Sequence, residues 1–378
     1  MNEMQVTAKN SLSVGNSLFV FSLNHHQVSL DDREKLALDE TALVELNDAV
    51  AKLDSVAEFM CLKTCNRFEL YASGLTERCV EEVWEVFRRF YSVPEQKLKE
   101  IVDSKHSAQM IQHLFEVCSG VDSQMIGETE ILGQVKRSFE DSRSTGKIGG
   151  AFNRIFPKAF QAAKWVRTNT LIGQGQVSIG NVAVDLAQRI FGDLTQRKVL
   201  VIGAGEVARL TAQSLVSRSV ESVTFTSRTE ANAKDLADEF TASTLPFSSI
   251  LKELHQFDIL IASTSAPHAI IDKKSLKRAM RKRSYEPLFI IDLAMPRDIE
   301  PQAGKIAQVF LYDLDDVSGI ANENLKNRTL EIEHCKQVLS ARSWATWLDV
   351  MRRSMTKSLR DSIENSALPE TDSSDLKR

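Results

Sequence analysis

The stretch RKVLVIGAGEVARLTAQSLV, residues 197–216, restricts the fold of this chain more than any other. An apolar run leads into a glycine-rich turn, and a helical pattern follows. In a nucleotide-binding βα unit the first glycine makes the tight turn and the second lets a pyrophosphate approach the backbone. A small third residue lets the helix pack closely on the strand. The sequence therefore predicts a dinucleotide site at Gly203, Ala204, Gly205, Glu206, Val207 and Ala208.

The segments that follow continue the alternation of strand and helix. SVTFTSRT, FDILIAST and PLFIIDLAMP have the apolar character of strands, and AKDLADEF has that of a helix. Strands that alternate with helices form a parallel, doubly wound sheet. We therefore expect a Rossmann-type NADP(H)-binding domain over residues 169–314.

The end of the second strand indicates which dinucleotide binds. An NAD-specific site places Asp or Glu here on the ribose hydroxyls, but this chain has Ser227 and Arg228. An arginine in place of an acid favours the 2′-phosphate of NADPH. The alternative is that Arg228 is a surface residue at a strand end.

The first part of the chain lacks this regularity. LFVFSLN, EFMCLKT and FELYAS are typical of strands, whereas VEEVWEVFRRFY and HSAQMIQHLFEVCSG are typical of amphipathic helices. The mixture predicts an α+β domain over residues 1–168 and makes the whole chain a multidomain α/β and α+β protein.

The C-terminal part, residues 315–378, reads as a connecting helix followed by a shortened helical segment and a polar tail. We expect the last dozen residues to be disordered. One apolar face is predicted on this segment, formed by Trp344, Trp347, Leu348, Met351, Met355 and Leu359.

Composition excludes several classes of protein. Apolar residues make up 43% of the 378 residues and charged residues 26%, the balance of an ordinary globular protein. The sequence shows no secretory signal and no apolar run long enough to span a bilayer. The 5 cysteines form no disulfide framework and no zinc-ligand spacing. These features predict a cytoplasmic protein without a metal site.

A net charge of −4 does not indicate a nucleic-acid-binding protein, but a local patch could still contact phosphates. The segment KKSLKRAMRKR, residues 273–283, holds seven basic residues and no acid. We favour a solvated helix face over a phosphate contact here.

Cys65, in LKTCNRFELY, is a candidate nucleophile. It follows an apolar strand and precedes Asn66 and Arg67, and a nearby guanidinium favours the thiolate. By residue type alone, however, a cysteine is more often core filler. Cys61 and Cys118 lie within apolar runs and are interpreted as filler.

The motifs KTCNRFELY, GVDSQMIGETEILGQVK, VLVIGAGEVARL and IIDLAMPRDIEP together resemble the glutamyl-tRNA reductase family, over roughly residues 18–335. The resemblance implies reduction of glutamyl-tRNA by NADPH to glutamate-1-semialdehyde, the first step of the five-carbon route to tetrapyrroles. The cysteine thiolate attacks the acyl ester, and hydride reduces the resulting thioester. Covalent capture of this kind divides a difficult reduction into two easier steps.

The resemblance also implies roles for individual residues. Cys65 corresponds to the nucleophile, Thr64 and Asn66 to its loop, and Arg67 to a partner for the glutamate carboxylate. His113 corresponds to a catalytic histidine that transfers a proton or holds the acyl group. The positions that contact the glutamyl group correspond to Ser123, Glu128 and Gln134. Thr129 and Glu130 depart from the family pattern at the rim of the implied pocket, while His25 and His26 are interpreted as support for the neighbouring strand.

The implied partners are glutamyl-tRNA, a pyridoxal-phosphate aminomutase that receives the reactive aldehyde, and a second copy of the chain. The C-terminal segment matches the family poorly, so both a homodimer and a monomer stay open. Two other functions also stay open. One is a catalytically impaired relative that binds NADP(H) and tRNA; the other is a different NADP(H) oxidoreductase, similar to shikimate dehydrogenase, which leaves KTCNR and ILGQVK unexplained.

Overall fold

The computed structural model describes residues 18–76, 78–128, 130–170, 172, 179–283, 286–323 and 329–366. At 322–323, 329–330 and 357–366 it describes the backbone alone. The expectations for Thr129, the side chain of Leu359 and the polar tail fall outside these residues. Across the described helices, none is both long and apolar enough to cross a membrane.

The N-terminal part is built on an antiparallel sheet in the order β2-β3-β1-β4. Its strands are β1 (Leu18–Asn24), β2 (Val56–Lys63), β3 (Arg67–Gly74) and β4 (Asp103–His106). The first three strands were predicted. The polar edge strand DSKH was not, because it lacks apolar alternation. The helices of this part are α1 (Leu30–Leu36), α2 (Glu40–Ala51), α3 (Cys79–Phe87), α4 (Glu95–Ile101), α5 (Ser107–Cys118), α6 (Glu130–Ser144) and α7 (Phe152–Asn169).

Both faces of this sheet are covered. Leu18, Val20 and Tyr71 pack in one apolar cluster with residues of α5 and α7. Phe19 and Leu70 lie on the opposite face with residues of α2 and α3. Side chains alternate between the faces of a strand, so β1 and β3 are buried along their whole length. Any polar residue in β3 is therefore placed inside the protein.

The second sheet has six strands, all parallel, in the order β10-β9-β8-β5-β6-β7. This is the doubly wound order of a Rossmann fold, whose connections reverse direction between β5 and β8. The predicted fold class is confirmed. The strands are β5 (Lys198–Ile202), β6 (Ser222–Thr226), β7 (Ser243–Thr244), β8 (Ile259–Ala262), β9 (Leu288–Asp292) and β10 (Val309–Tyr312). The helices are α8 (Ile179–Phe191), α9 (Glu206–Ser217), α10 (Glu230–Phe240), α11 (Ile250–Glu253), α12 (Lys273–Met280) and α13 (Leu314–Glu323).

A final helix, α14 (Thr329–Ser366), spans 38 residues. It packs back on the N-terminal part, where Cys335, Leu339 and Val350 join the cluster that holds α5 and α7. Trp347 also packs against this cluster. The predicted apolar face is therefore only partly buried, since Trp344 and Leu348 are 49% and 57% exposed.

Charged side chains connect the N-terminal part to the nucleotide-binding part. Arg297, which follows β9, contacts Asp31 and Glu34 on α1. Arg33 on the same helix pairs with Asp315 at the start of α13. Helix α1 thus joins the two sheets and, as described below, the cysteine loop.

Candidate active site

Cys65 lies in the tight turn that joins β2 to β3. The Thr64 N–H donates to the Arg67 carbonyl over 2.9 Å. The Thr64 hydroxyl accepts from the backbone N–H groups of Asn66 and Arg67, each over 3.1 Å. These bonds satisfy the turn internally, so Thr64 shapes the loop. Cys65 is half-buried at its tip, whereas Cys118 is fully buried in the core.

Arg33 contacts the cysteine loop, a contact that no sequence pattern predicted. One guanidinium nitrogen, Nη1, donates to the Asn66 side-chain oxygen over 2.8 Å and to the Cys65 carbonyl over 3.4 Å. The other, Nη2, donates to Asp315 over 2.5 Å. Arg33 is only 6% exposed. The Asn66 side chain is therefore held by Arg33 within the loop that carries Cys65.

The surroundings of the thiol keep it protonated in this conformation. Burial raises the pKa of the Cys65 thiol to about 12, and the Glu128 carboxylate adds to the increase. Arg33 opposes the shift, and Glu130 reinforces it. Glu128 and Glu130 thus lie near enough to Cys65 to act on its charge. Contact of the thiol with water, or a reduction of the negative charge around it, would lower this pKa.

Glu128 and Ser123 lie together beside the cysteine. Burial raises the pKa of the Glu128 carboxyl to about 7; the Ser123 hydroxyl opposes this shift and Glu130 adds to it. Ser123 is itself buried. Gln134 lies four residues after Glu130 on α6, so the two share one face of that helix. The structure thus gathers Ser123, Glu128 and Glu130 near Cys65, with Gln134 one helical turn away.

Arg67 has different partners from those predicted. Its guanidinium donates to Glu69 Oε1 over 2.8 Å, to Asp122 Oδ2 over 3.0 Å and to the Asp122 carbonyl over 2.5 Å. The side chain is only 1% exposed. The predicted contact between Arg67 and a substrate carboxylate stays a prediction. Glu69 is buried and the Asp122 side chain is 20% exposed, so Arg67 provides a cation to two carboxylates in and at the edge of the domain interior.

His113 also contacts protein groups. Its Nε2 lies 2.7 Å from Glu69 Oε1, and its Nδ1 lies 3.9 Å from Asp122. Glu69 additionally accepts from the Ser22 hydroxyl over 2.9 Å and from the Tyr71 hydroxyl over 2.6 Å. His113 therefore sits in a buried polar network behind the cysteine loop. These contacts hold His113 in place through Glu69, and its predicted catalytic role stays a prediction.

The pair His25 and His26 borders the same network. His26 Nε2 lies 3.1 Å from Asp122 Oδ1. Burial lowers the pKa of His25 to about 3, and the neighbouring His26 lowers it further, so His25 is neutral at physiological pH. These contacts fit the interpretation of both residues as structural support.

A separate cavity of about 670 Å³ lies at the carboxyl ends of β5, β6 and β8. A crevice at this switch point is the usual dinucleotide site of the fold. Its lining includes Gly203, Ala204, Gly205, Ser227, Arg228, Thr229 and Asn232, with Ser263–Ile270 on the other side. The backbone N–H groups of the glycine turn beyond Gly203, the hydroxyls of Ser227 and Thr229 and the Arg228 guanidinium face a space that suits phosphate and ribose groups.

The glycine turn fits a nicotinamide dinucleotide. Gly203 has φ +118°, and a Cβ there would lie 2.8 Å from the Ser263 carbonyl, so only glycine is accommodated. A Cβ at Gly205 would meet nothing within 4 Å, which leaves open space above the turn. Of the other predicted cofactor residues, Ala208 is buried. Glu206 and Val207 begin α9 and do not line the cavity.

The nucleotide cavity and Cys65 lie in different parts of the structure. No residue of the turn around Cys65 lines the nucleotide cavity.

The buried network could have been found from the sequence. In RFELY, the side chains of Arg67, Glu69 and Tyr71 alternate with apolar Phe68 and Leu70. A period of two places these three polar residues on one face of a strand. Nothing comparable marks Arg33, Asp122 or Asp315, because their contacts join segments far apart in the chain.

Two family models match the chain. Residues 21–170 match the model "Glutamyl-tRNAGlu reductase, N-terminal domain", and residues 185–320 match "Shikimate / quinate 5-dehydrogenase". Over 337 residues the chain is 36% identical to a glutamyl-tRNA reductase of Magnetococcus marinus, covering 88% of this chain and 80% of that protein. The chain belongs to the glutamyl-tRNA reductase family.

Other family members match similarly. The glutamyl-tRNA reductase of Desulfotalea psychrophila is 38% identical over 317 residues, with 83% of this chain and 74% of that protein covered. Among solved structures, "Glutamyl-tRNA Reductase from Methanopyrus kandleri" is 30% identical. That match covers 93% of this chain and 81% of the other, with a TM-score of 0.45. The predicted family is confirmed.

Proposed function

We propose that this protein reduces glutamyl-tRNA to glutamate-1-semialdehyde with NADPH, the first step of tetrapyrrole synthesis by the five-carbon route. The observation that carries the proposal is the position of Cys65. It stands half-buried at the tip of a self-capped turn, with one cation, Arg33, beside it and a carboxyl group of raised pKa, Glu128, close by.

In the first step the Cys65 sulfur forms a bond to the acyl carbon, and the ester bond between that carbon and the 3′-oxygen of the tRNA breaks. The thiol proton ends on the leaving 3′-oxygen. The product is a thioester on Cys65 and free tRNA. Such a nucleophile needs the thiolate form, which the negative charge of Glu128 disfavours in the free site.

Binding of the substrate can favour ionisation of the Cys65 thiol. The free ammonium group of the glutamyl ester is the natural partner of the Glu128 carboxylate. When this ammonium group binds, it neutralises the Glu128 carboxylate, which adds to the raised pKa of Cys65. Arg33 stays beside the loop. Ser123 and Gln134 are proposed to hold the rest of the glutamyl group. Arg67 and His113 are proposed to hold the turn from behind through Glu69 and Asp122.

NADPH, when bound, supplies the hydride that converts the thioester to the aldehyde. Gly203, Ala204 and Gly205 are proposed to hold its pyrophosphate, while Ser227 and Arg228 hold its 2′-phosphate. The cavity volume, the open space at Gly205 and the arginine in place of an acid support this assignment. Because the cavity is separate from Cys65, we propose that residues 169–314 move as a domain relative to residues 1–168, with residues 315–378 as the connecting segment.

The proposed setting is a cytoplasmic homodimer that passes the aldehyde to an aminomutase. The exposed side chains of Trp344, Leu348 and Met355 on α14 support a second copy as a partner. Release of a reactive aldehyde supports direct transfer to the next enzyme.

The test is trapping of the acyl group. Labelled glutamyl-tRNA is mixed with the protein without NADPH, and the label on the denatured protein is counted. We expect a stoichiometric label on the wild type and on Cys61→Ser, and none on Cys65→Ser. Addition of NADPH should release the label as the aldehyde. Label retained on Cys65→Ser contradicts the covalent route, and an unlabelled wild type indicates a binding protein.

A further inference from the structure

The basic segment identified in the sequence forms one side of helix α12 and the turn after it. Lys274, Lys277, Arg278 and Arg281 occur at i, i+3, i+4 and i+7, which is a single helix face. All four are exposed, and so is Lys282. The opposite face, with Leu276 and Ala279, is buried in the nucleotide-binding part. We call these five exposed cations the basic face.

The basic face lacks the ion pairs that other exposed cations of the chain make. Arg88 pairs with Glu85, Lys99 with Glu95, and Arg143 with Glu140, each within its own helix. Among the residues that the structure describes, no carboxylate lies within 4.0 Å of a cation of the basic face. The helix-capping Asp272 is the nearest acidic influence, and its pKa is lowered mainly by Ser275, with Lys274 and Arg278 contributing.

Helix stability alone does not account for this arrangement. Like charges spaced three or four residues apart on one helix face destabilise a helix. A cation in the first turn, such as Lys274, also opposes the helix dipole. Two basic residues of the segment lie outside the basic face, the half-buried Lys273 and the buried Arg283. Arg283 donates to the carbonyl groups of His255 and Phe257 and to Asp258. One cation of the segment therefore has a structural role, and the five exposed ones do not.

The basic face adjoins the nucleotide cavity. The segment Ser263–Ile270 lines that cavity, and α12 begins three residues later. The neighbouring elements Ile250–Glu253 and Pro301–Lys305 contribute exposed Lys252 and Lys305. Nearby acids do not balance these charges: Glu300 accepts from the Lys273 N–H, and Glu286 lies beyond the turn. In a chain whose net charge is −4, the positive charge is thus concentrated on one surface.

We propose that the basic face binds the phosphate backbone of the tRNA part of the substrate. This inference rests on the proposed function and adds a contact surface on the nucleotide-binding part, away from Cys65. Flexible, unpaired lysines and arginines on a flat helix face contact phosphates without reading sequence. The surface therefore contributes affinity for the tRNA body and leaves the chemistry at the acyl ester unchanged.

The experiment compares two triple variants that remove the same charge. The first is Lys277→Gln, Arg278→Gln and Arg281→Gln in the basic face. The control is Arg88→Gln, Lys99→Gln and Arg143→Gln, whose cations are paired with acids. Binding of uncharged tRNA is measured from 50 to 300 mM salt. We expect the basic-face variant to bind at least about fivefold more weakly at low salt, with the slope of log Kd against log salt reduced by about 2.

Kinetics separate this inference from the proposed function. On glutamyl-tRNA the basic-face variant should show a raised KM with unchanged kcat. On glutamyl-adenosine, which carries no phosphate, it should match the wild type in acyl transfer to Cys65. Equal tRNA affinity and salt slope in both triple variants would overturn the inference. If the wild type forms no acyl-enzyme, the proposed function fails, while the salt-dependent binding still tests the surface independently.

Discussion

Arg33 and Asp315 join the cysteine loop to the nucleotide-binding part of the molecule. Nη2 of Arg33 lies 2.5 Å from Asp315 Oδ1, while Nη1 holds the Asn66 side chain and the Cys65 carbonyl. Gln124 donates to the same Asp315 oxygen over 2.7 Å. The Arg33 guanidinium thus contacts both the turn that holds Cys65 and the acidic Asp315 on α13.

Arg33 variants should change the ionisation of Cys65. Loss of the cation in Arg33→Gln is expected to raise the pKa of the thiol, because Arg33 lowers it in the wild type. Asp315→Asn should lower that pKa, since the guanidinium charge is then no longer shared. The measurement is the pH midpoint of iodoacetamide alkylation in a background without the other cysteines. Arg33→Lys and Arg88→Gln serve as controls, and equal midpoints for Arg33→Gln and the wild type would contradict the assignment.

Glu128→Gln should weaken substrate binding while it makes the thiol easier to ionise. The neutral amide cannot pair with an ammonium group, so a non-reactive amide analogue of glutamyl-adenosine should bind about tenfold or more weakly. Because burial raises the pKa of Glu128 to about 7, wild-type affinity should increase as pH rises through 7. The variant should lack that dependence. Glu140→Gln, on the exposed side of α6, is the control; a pH dependence retained in Glu128→Gln would argue against the role.

Glu69→Gln should lower stability mostly at neutral pH. Although burial alone would raise it, the pKa of Glu69 is held well below its usual range by His113 and Arg67. A lowered carboxyl pKa contributes stability that is present above the unfolded value of about 4.3 and is lost as pH falls below it. The free energy of unfolding in urea should therefore drop by about 3–5 kcal/mol at pH 7, with a smaller loss at pH 3. Exposed Glu85→Gln should show neither effect. An equal loss at both pH values would refute the linkage.

Gly203→Ala should lose stability, whereas Gly205→Ala should lose affinity for NADPH. A methyl group at Gly203 meets the Ser263 carbonyl in a backbone conformation that favours glycine, so we expect a loss of about 1–3 kcal/mol in stability. At Gly205 the added group meets open space and the fold should tolerate it. That space is where a pyrophosphate approaches, so Gly205→Ala should lose NADPH affinity without a change in melting temperature. Thermal unfolding and fluorescence titration distinguish the two, and a destabilised Gly205→Ala would contradict this interpretation.

Arg228→Gln should lose the preference for NADPH over NADH. A charge-assisted bond to a phosphate contributes about 1.5–3 kcal/mol, so NADPH should bind about tenfold or more weakly, with NADH unaffected. Dissociation constants for both dinucleotides provide the measurement. Arg218→Gln, whose partner is Asp185 on α8, is a control remote from the cavity. A parallel loss for NADH would show that Arg228 acts on the turn and not on the 2′-phosphate.

The features that were predicted correctly from the sequence are those that neighbouring residues determine. The glycine turn after KVLVI and the alternation of strands and helices were sufficient for a parallel, doubly wound sheet and for four of its six strands; β7 and β10 were not predicted. Similarly, KTCNR placed Cys65 in a turn between two strands. In both cases neighbouring residues determine the backbone path, so a short window of sequence contains the information.

Contacts between distant segments were the part that could not be predicted. Arg67 was assigned to the glutamate carboxylate by resemblance, and no local pattern indicates its contact with Asp122, 55 residues further along the chain. Arg33 lies in a polar helical stretch, and its contacts with Asn66 and Asp315 join residues 33 and 282 positions apart. Such pairings depend on tertiary packing, which no local pattern records.

The helix that ends the described chain has a mechanical consequence. At 1.5 Å per residue, its 38 residues measure about 57 Å, and only part of that length rests on α5 and α7 through Cys335, Leu339 and Val350. The helix extends about 24 Å beyond Val350 to Ser366, so a tilt of one degree in the packed portion displaces its C-terminal end by about 0.4 Å. The direction of the C-terminal end of α14 therefore depends on a few side chains that pack against the N-terminal part.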